Sequence, residues 1–203
     1  MKIGIIIGSH RKESQSAKVG HWLATTLKAA EGVNTWLLDL GRSPLPLWDE
    51  GVFAGTPEWQ VLAPVREELA SCDGFVFVVP EWHGMVPSAL KNLILLVAGS
   101  GELAHKPTLL CAVSASDGGA NPIAELRMSS YKNARICYIP EQLIVRKVKA
   151  VLNDDAAEND PAIHPYIEQR CRYALGVLVA YARAFIGIRE SGKVDRSDYP
   201  NGM

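Results

Sequence analysis

Five short apolar runs punctuate the chain, and stretches with helical patterning separate them. The first, Ile3-Gly4-Ile5-Ile6-Ile7, is continuous and rich in β-branched residues, which predicts a strand buried on both faces. Thr35 to Leu40 predicts a second strand. Gly74 to Val79 predicts a third, ending abruptly at Pro80 because proline cannot donate to a central ladder. Thr108 to Val113, entered through Pro107, predicts a fourth, and a fifth is divided between Ile136–Ile139 and Leu143–Val148. Between the runs, Ser16 to Ala30 places Val19, Leu23, Thr26 and Leu27 on one helical face. Thr56-Pro57-Glu58 reads as a cap with proline at the first helical position, leading into Val61, Leu62, Val65 and Leu69. Pro87 opens a helix to Gly99, and another spans about Asn121 to Asn133. The last begins near Asp160-Pro161 or His164-Pro165 and carries Ile167, Cys171, Leu175, Leu178, Ala182 and Phe185 as a long stripe.

Strands alternating with helices, several of them apolar on both faces, specify an α/β fold: a doubly wound, three-layer structure around a five-stranded parallel sheet in the order 2-1-3-4-5. No repeat or linker divides the chain, so residues 1–188 are expected to form one domain and residues 189–203 a polar tail that frays. The longest irregular connection, Gly41 to Thr56, is rich in proline and tryptophan, which marks it as functional or interface-forming.

Composition narrows the function. With 21 basic and 22 acidic residues among 203, the chain lacks the basic excess of a nucleic-acid binder. Four separated cysteines without a CxxC pair read as buried thiols of a reducing cytoplasm. No signal segment is expected, nor an apolar run of the ~18 residues that a membrane span needs. The five histidines show no metal-ligand spacing, and no nucleophile-base triad is seen, so neither a metal site nor a catalytic side chain is expected.

In a sheet of this order ligands bind beyond the carboxyl ends of the strands, where the winding reverses between the first and third. Three loops lie there. Gly8-Ser9-His10-Arg11-Lys12-Glu13-Ser14-Gln15-Ser16-Ala17 joins a strand to a helix start, where unpaired N–H groups, hydroxyls and Arg11 suit a phosphate monoester. The same residues also suit a plain serine cap. The loop contains neither GxxxxGK nor GxGxxG, which disfavours a nucleotide triphosphatase and a dinucleotide-binding Rossmann domain. Pro80-Glu81-Trp82-His83-Gly84-Met85-Val86-Pro87 is stiffened by its prolines and offers Trp82 as a flat surface for a planar ring, or forms a rigid turn. Ser114-Ala115-Ser116-Asp117-Gly118-Gly119-Ala120 brings main-chain N–H groups near a ligand edge, or is an ordinary strand-to-helix turn. An anion site, a stacking surface and a donor-rich rim at one sheet end match the three parts of a phosphorylated flavin.

These segments resemble the NAD(P)H-dependent FMN reductase family, flavodoxin-like proteins that include quinone, chromate and azo-dye reductases. Gly8 to Ser16 is similar to its GSxRxxSxN/S loop, Pro80 to Asn92 to its PEYNxSxPGxLKN segment, and Ser114 to Gly119 to its SxxxGG loop, over roughly residues 2 to 145. The resemblance implies an FMN-dependent oxidoreductase that takes a hydride from NADPH or NADH and passes electrons to a small acceptor. Ser9, Arg11, Ser14 and Ser16, with Ala17 beside them, would hold the FMN phosphate. Pro80, Glu81, Trp82, His83 and Gly84 would lie along the isoalloxazine, with Ser114, Gly118 and Gly119 bordering the same ring. Lys91 and Asn92 would brace the loop from the helix.

Trp82-His83 stands where the family commonly has Tyr-Asn, which makes the ring environment bulkier. The helix after Asn92 reads Leu93-Ile94-Leu95-Leu96-Val97, apolar all round, so Leu95 and Leu96 are expected to meet another subunit in a homodimer or homotetramer. Two rival functions remain: an FMN-binding electron carrier, disfavoured by the net charge of -1, and a flavin-free regulatory member of the same fold.

Overall fold

A computed structural model describes residues 1–202. Strands β1 (Lys2–Ile7), β2 (Asn34–Asp39), β3 (Gly74–Pro80), β4 (Pro107–Val113) and β5 (Cys137–Val145) form one parallel sheet in the order β2-β1-β3-β4-β5. Helices α1 (Gln15–Lys28), α2 (Gly51–Ala54), α3 (Leu62–Ser71), α4 (Ser88–Val97), α5 (Ala120–Met128) and α6 (His164–Glu190) connect the strands and follow the last one. Every residue of β3 and β4 is buried, as central strands covered on both faces must be. One core layer joins Ile3, Ile5, Ile7, Val76, Val78, Leu109 and Cys111 to Leu23 and Leu27 of α1 and to Cys171, Leu175 and Leu178 of α6. The opposite layer joins Ile6, Phe75, Phe77, Val79 and Leu110 to Leu69 of α3, Leu90, Leu93 and Leu96 of α4, and Ile123 and Leu126 of α5.

Several expectations change in detail. The two apolar pieces predicted for the last strand belong to one strand. Thr108 pairs with Tyr138 and Leu110 with Gln142, so a bulge at Ile139-Pro140-Glu141 absorbs the interruption. An edge strand tolerates Pro140 there, and Arg127 fastens the bulge with Nη2 on the Ile139 carbonyl at 2.8 Å and Nε on Gln142 Oε1 at 3.1 Å. The helix expected to reach Asn133 ends at Met128, where Ser130 enters the left-handed region at φ 66° and its hydroxyl meets that of Tyr138 at 2.6 Å. Thr56 stands at the N-cap with Pro57 first in the helical turn, as expected, but its hydroxyl makes no capping bond; Pro57–Val61 is a 3-10 turn, and α3 starts only at Leu62. Leu96 is buried inside the subunit against expectation, while Leu95 stays exposed.

The last helix outruns the expected boundary at residue 188, and the tail beyond it is tied down. Arg196 donates to the Ser100 carbonyl at 2.9 Å, Arg135 donates to the carbonyls of Tyr199 and Pro200, and the Gly202 N–H donates to Asn133 at 3.0 Å. These long-range bonds attach a polar segment that has no apolar stripe of its own. By length and composition α6 is apolar enough to cross a membrane, with mean hydropathy 1.4 over 18 residues, contrary to the expectation that no such run exists. Here Cys171, Ala174, Leu175, Leu178 and Ala182 form the stripe that covers β4 and β5.

The interior is chemically unusual at its thiols and at Lys106. All four cysteines are free, and burial pushes Cys72 up to about 11 and Cys171 up to about 12. Lys106 is buried and donates to the Leu69 and Ala70 carbonyls, both at 2.8 Å, closing the end of α3; burial lowers it to about 8. The two effects have opposite signs. A thiol that keeps its proton when folded stabilises the fold fully below its ordinary value near 9, and that contribution is lost as pH rises through 11 to 12. A lysine lowered from 10.5 to about 8 makes the fold more stable as pH rises between those values. We expect the Cys171→Ala variant to lose less urea midpoint than the parent between pH 8.5 and 11. Equal losses in the two proteins would show that this thiol does not govern alkaline stability.

Candidate active site

The β1–α1 loop leaves the sheet where Gly8 donates its N–H to the Val78 carbonyl of β3 at 2.8 Å. Ser14 then caps α1, its hydroxyl accepting from the Ala17 N–H at 3.1 Å, so the capping role proposed from sequence is realised at this serine. The Ser9 hydroxyl accepts from the Arg11 N–H at 3.3 Å. Ser9 and Ser16 are buried while Arg11 is exposed. Among the described residues the N–H groups of Gln15 and Ser16 have no partner, as expected for the first turn of a helix, and neither do those of Lys12 and Glu13 in the loop before the cap. Behind the loop, a Cβ at Gly41 would lie 2.2 Å from the Arg11 carbonyl oxygen, so the segment after β2 touches the loop backbone directly. Asp39 holds Gly41 there by accepting its N–H at 2.9 Å.

This loop forms one wall of a cleft of about 820 Å³ that also takes in Pro80, Glu81, Trp82, Val113, Ala115, Val148 and Lys149. Of the residues singled out from sequence, Ser9, Arg11, Ser14, Ser16, Ala17, Pro80, Glu81 and Trp82 line it; His83, Gly84, Ser114, Gly118 and Gly119 do not. Lys12 of the same loop and Arg42 of the segment after β2 also line it, and Lys18, His21 and Lys149 join them without having been foreseen. Lys18 shows why: its Nζ donates to the Val148 carbonyl at 2.6 Å, the Val151 carbonyl at 2.8 Å and Asn153 Oδ1 at 2.5 Å. That staple pins the segment after β5 against α1, and burial lowers the Lys18 pKa. A contact across some 130 residues leaves no local sequence signal.

The β3–α4 loop is a tight turn. Trp82 and Met85 exchange backbone bonds of 3.2 and 2.9 Å around His83 (φ 51°) and Gly84 (φ 75°). Positive φ at both central residues is the type I′ geometry, which glycine adopts freely and histidine only uncommonly. The N–H groups of His83 and Gly84 are left without a partner among the described residues. The Val86 N–H donates to Glu125 Oε2 at 2.8 Å, and Lys91 reaches Oε1 of the same carboxylate at 2.8 Å. Burial opposes ionisation of Glu125, yet Lys91 and the Val86 N–H hold its pKa below the usual value. Asn92 accepts from the Trp48 N–H and donates to the Pro46 carbonyl, each at 2.8 Å, so it braces the segment after β2.

The third loop does not present the open rim expected of it. Gly119 donates its N–H to Glu81 Oε2, and Asn121 approaches Oε1 at 3.4 Å. A Cβ at Gly118 would sit 3.2 Å from the Glu81 carboxyl, and one at Gly119 would sit 2.4 Å from Ile144 Cγ2. The glycine pair therefore seats a carboxylate from the neighbouring loop and locks the two loops together. Arg146 Nε adds a bond to the Gly118 carbonyl at 3.0 Å.

A doubly wound sheet with a helix N-terminus, free N–H groups and arginine at its switch point defines a phosphate-binding α/β protein. Residues 1–150 match the family described as NADPH-dependent FMN reductase, and the chain belongs to that family. It is accordingly a flavin-dependent oxidoreductase that uses FMN and a reduced nicotinamide nucleotide. An NADPH azoreductase of Bacillus sp. (strain OY1-2) is 26% identical over 177 residues, covering 85% of this chain and 92% of that protein. A quinone reductase of Pseudomonas putida is 29% identical over 171 residues, covering 82% and 88%. Among solved structures, the flavoenzyme NAD(P)H:(acceptor) oxidoreductase FerB from Paracoccus denitrificans superposes with a TM-score of 0.65 at 21% identity, covering 91% of this chain and 96% of that one, a likeness of fold.

The contact at Gly41 makes a direct prediction. In Gly41→Ala the new methyl meets the Arg11 carbonyl, so the β1–α1 loop must shift; we expect FMN affinity to fall at least tenfold while the far-ultraviolet circular dichroism is retained. Unchanged affinity in an otherwise folded variant would show that the loop position is not critical.

Proposed function

We propose that the cleft holds FMN with its phosphate on the β1–α1 loop and its ring toward the β3–α4 turn. In this reading electrons pass from NAD(P)H to a small quinone or azo acceptor. The observation that carries this reading is the set of unpartnered N–H groups at Lys12, Glu13, Gln15 and Ser16, in a loop that also presents Arg11. A phosphate dianion satisfies such donors, and the helix dipole favours its charge. Arg11 would grip two oxygens of the phosphate, with the hydroxyls of Ser9, Ser14 and Ser16 in support. The unpaired N–H groups of His83 and Gly84 fit the polar edge of a planar ring, and Trp82 supplies an apolar wall.

FMN, when bound, supplies the hydride-accepting and electron-passing chemistry. The chain's own task is to orient and to stabilise charge. Lys18 fixes the far wall of the cleft, Glu81 fixes the β4–α5 loop, and the free donors of the β3–α4 turn favour negative charge next to them. No acid-base side chain is required in this scheme. The names of the azoreductase and quinone reductase relatives support the acceptor class, and the family description favours NADPH as donor.

The working form is proposed to be a homodimer or homotetramer, because Leu95, Phe53 and Trp48 leave exposed apolar surface around a groove of about 520 Å³ that Val52, Leu96 and Ala98 extend. A cytoplasmic location is proposed with it: the free thiols are consistent with a reducing compartment, and NAD(P)H is available there. Residues 1–188 are read as the FMN-binding unit, with the residues beyond serving to lock its base.

Visible absorption tests the central reading. The protein with FMN should show flavin bands that bleach anaerobically on adding NADPH, and reoxidise when a quinone is supplied; bands that persist with both NADPH and NADH would identify a carrier instead. Arg11→Ala should weaken FMN binding by roughly 10- to 100-fold, the range for loss of a charge-assisted hydrogen-bond pair. Separately, Leu95→Glu should lower the mass seen by light scattering to that of one chain, and an unchanged mass would remove the α4 face from the subunit contact.

A further inference from the structure

Trp82 is gripped from the opposite loop by two consecutive residues. The His10 ring stands edge-on to the indole, with centroids 4.4 Å apart and planes at 89°, and Arg11 Cζ lies over the indole ring at 5.1 Å from its centroid. Neither the His10 ring nor the Arg11 guanidinium makes any hydrogen bond or ion pair with another described residue. The backbone of Trp82 is fixed independently by its turn with Met85. One indole therefore bridges the loops on either side of the switch point. It is also the contact that places a guanidinium otherwise free to rotate.

We propose that His10 and Trp82 together are a positioning device for Arg11, tuning the cleft toward a phosphorylated flavin over the unphosphorylated one. The inference rests on the reading of the cleft as an FMN site. The His10 ring holds the indole against its own turn, and the indole holds the guanidinium. A cation–π contact engages no hydrogen-bond acceptor, so the guanidinium donors that point away from the ring stay available to an anion. An unconstrained arginine gives up side-chain freedom when it binds phosphate; this one has given it up beforehand. The position between Ser9 and Arg11 thus carries a specificity role through Trp82. His10 touches neither reacting group, so its effect appears in affinity and not in the chemical step.

The test compares FMN and riboflavin binding to flavin-free protein, followed by flavin fluorescence, in the parent, His10→Ala, His10→Phe, Arg11→Ala and the His10→Ala/Arg11→Ala double variant. Loss of an exposed cation–π placement corresponds to roughly a two- to fivefold change. We expect His10→Ala to weaken FMN by that factor and leave riboflavin unaffected, His10→Phe to restore FMN affinity, and the double variant to match Arg11→Ala. Equal weakening of both flavins would reduce His10 to a packing residue, and a full His10→Ala effect on the Arg11→Ala background would break the proposed chain of contacts. Either result, or no change at all in His10→Ala, overturns the device while leaving the FMN site intact. A parent protein that takes up neither flavin overturns the FMN reading and, with it, the role assigned to His10.

Discussion

The position of β1 between β2 and β3 is the constraint from which the site follows. Because the chain winds outward from β1 in both directions, the loops after β1 and after β3 leave the sheet side by side toward opposite layers, and a cleft opens at their shared end. The parallel pairing demands strands that are apolar on both faces, which β3 and β4 satisfy at every residue. Helices on both faces then bury those strands, and the polar business of the molecule is confined to the strand ends. The first turn of α1 lies at that end with its N–H groups facing outward. Folding thus gathers the open N–H groups of this loop and Arg11 at one end of the sheet.

What turns neighbouring loops into a defined cleft is a small set of polar links between segments distant in sequence. Lys18 holds the segment after β5 to α1, Glu81 holds the β4–α5 loop to the end of β3, and Asn92 holds the segment after β2 to α4. The two aromatic contacts of Trp82 add a fourth link, across the switch point itself. Each of the three hydrogen-bonded links satisfies groups that the loop backbone would otherwise leave open, so it orders the loop as it pairs them. The chemistry of the cofactor asks for just this, walls and donors held still.

At the opposite end of the sheet the same economy of contacts serves stability. Lys106 closes α3, Arg189 of α6 pairs with Asp73 at 2.7 Å, and Arg196 and Arg135 fasten the terminal segment beneath the sheet. Long polar side chains donating to helix-end and loop carbonyls replace the apolar stripe that this segment lacks. The two ends of the sheet thereby differ, one opening into the cleft and one closed by these bonds.

The architecture was legible in the sequence because it depends on local patterning. β-branched apolar runs, helical periodicity and proline or glycine punctuation each act over a few residues, and together they specified five strands, their order and the location of the cleft. That Ser9, Arg11, Ser14 and Ser16 line one cleft was legible for the same reason, since they lie within one short stretch of chain. The divided fifth strand, the early end of α5 and the pinned tail were not, because each depends on a partner elsewhere: Arg127 at the bulge, Tyr138 beside Ser130, and Ser100 and Asn133 under the tail. Nor did the sequence reveal that the Gly118-Gly119 rim would be taken by Glu81, or that His10 would meet Trp82. Local chemistry determined which groups were available for binding, whereas the tertiary structure decided which of them stay free, because a hydrogen-bond donor is open to a ligand only when no neighbour brought near by folding has already claimed it.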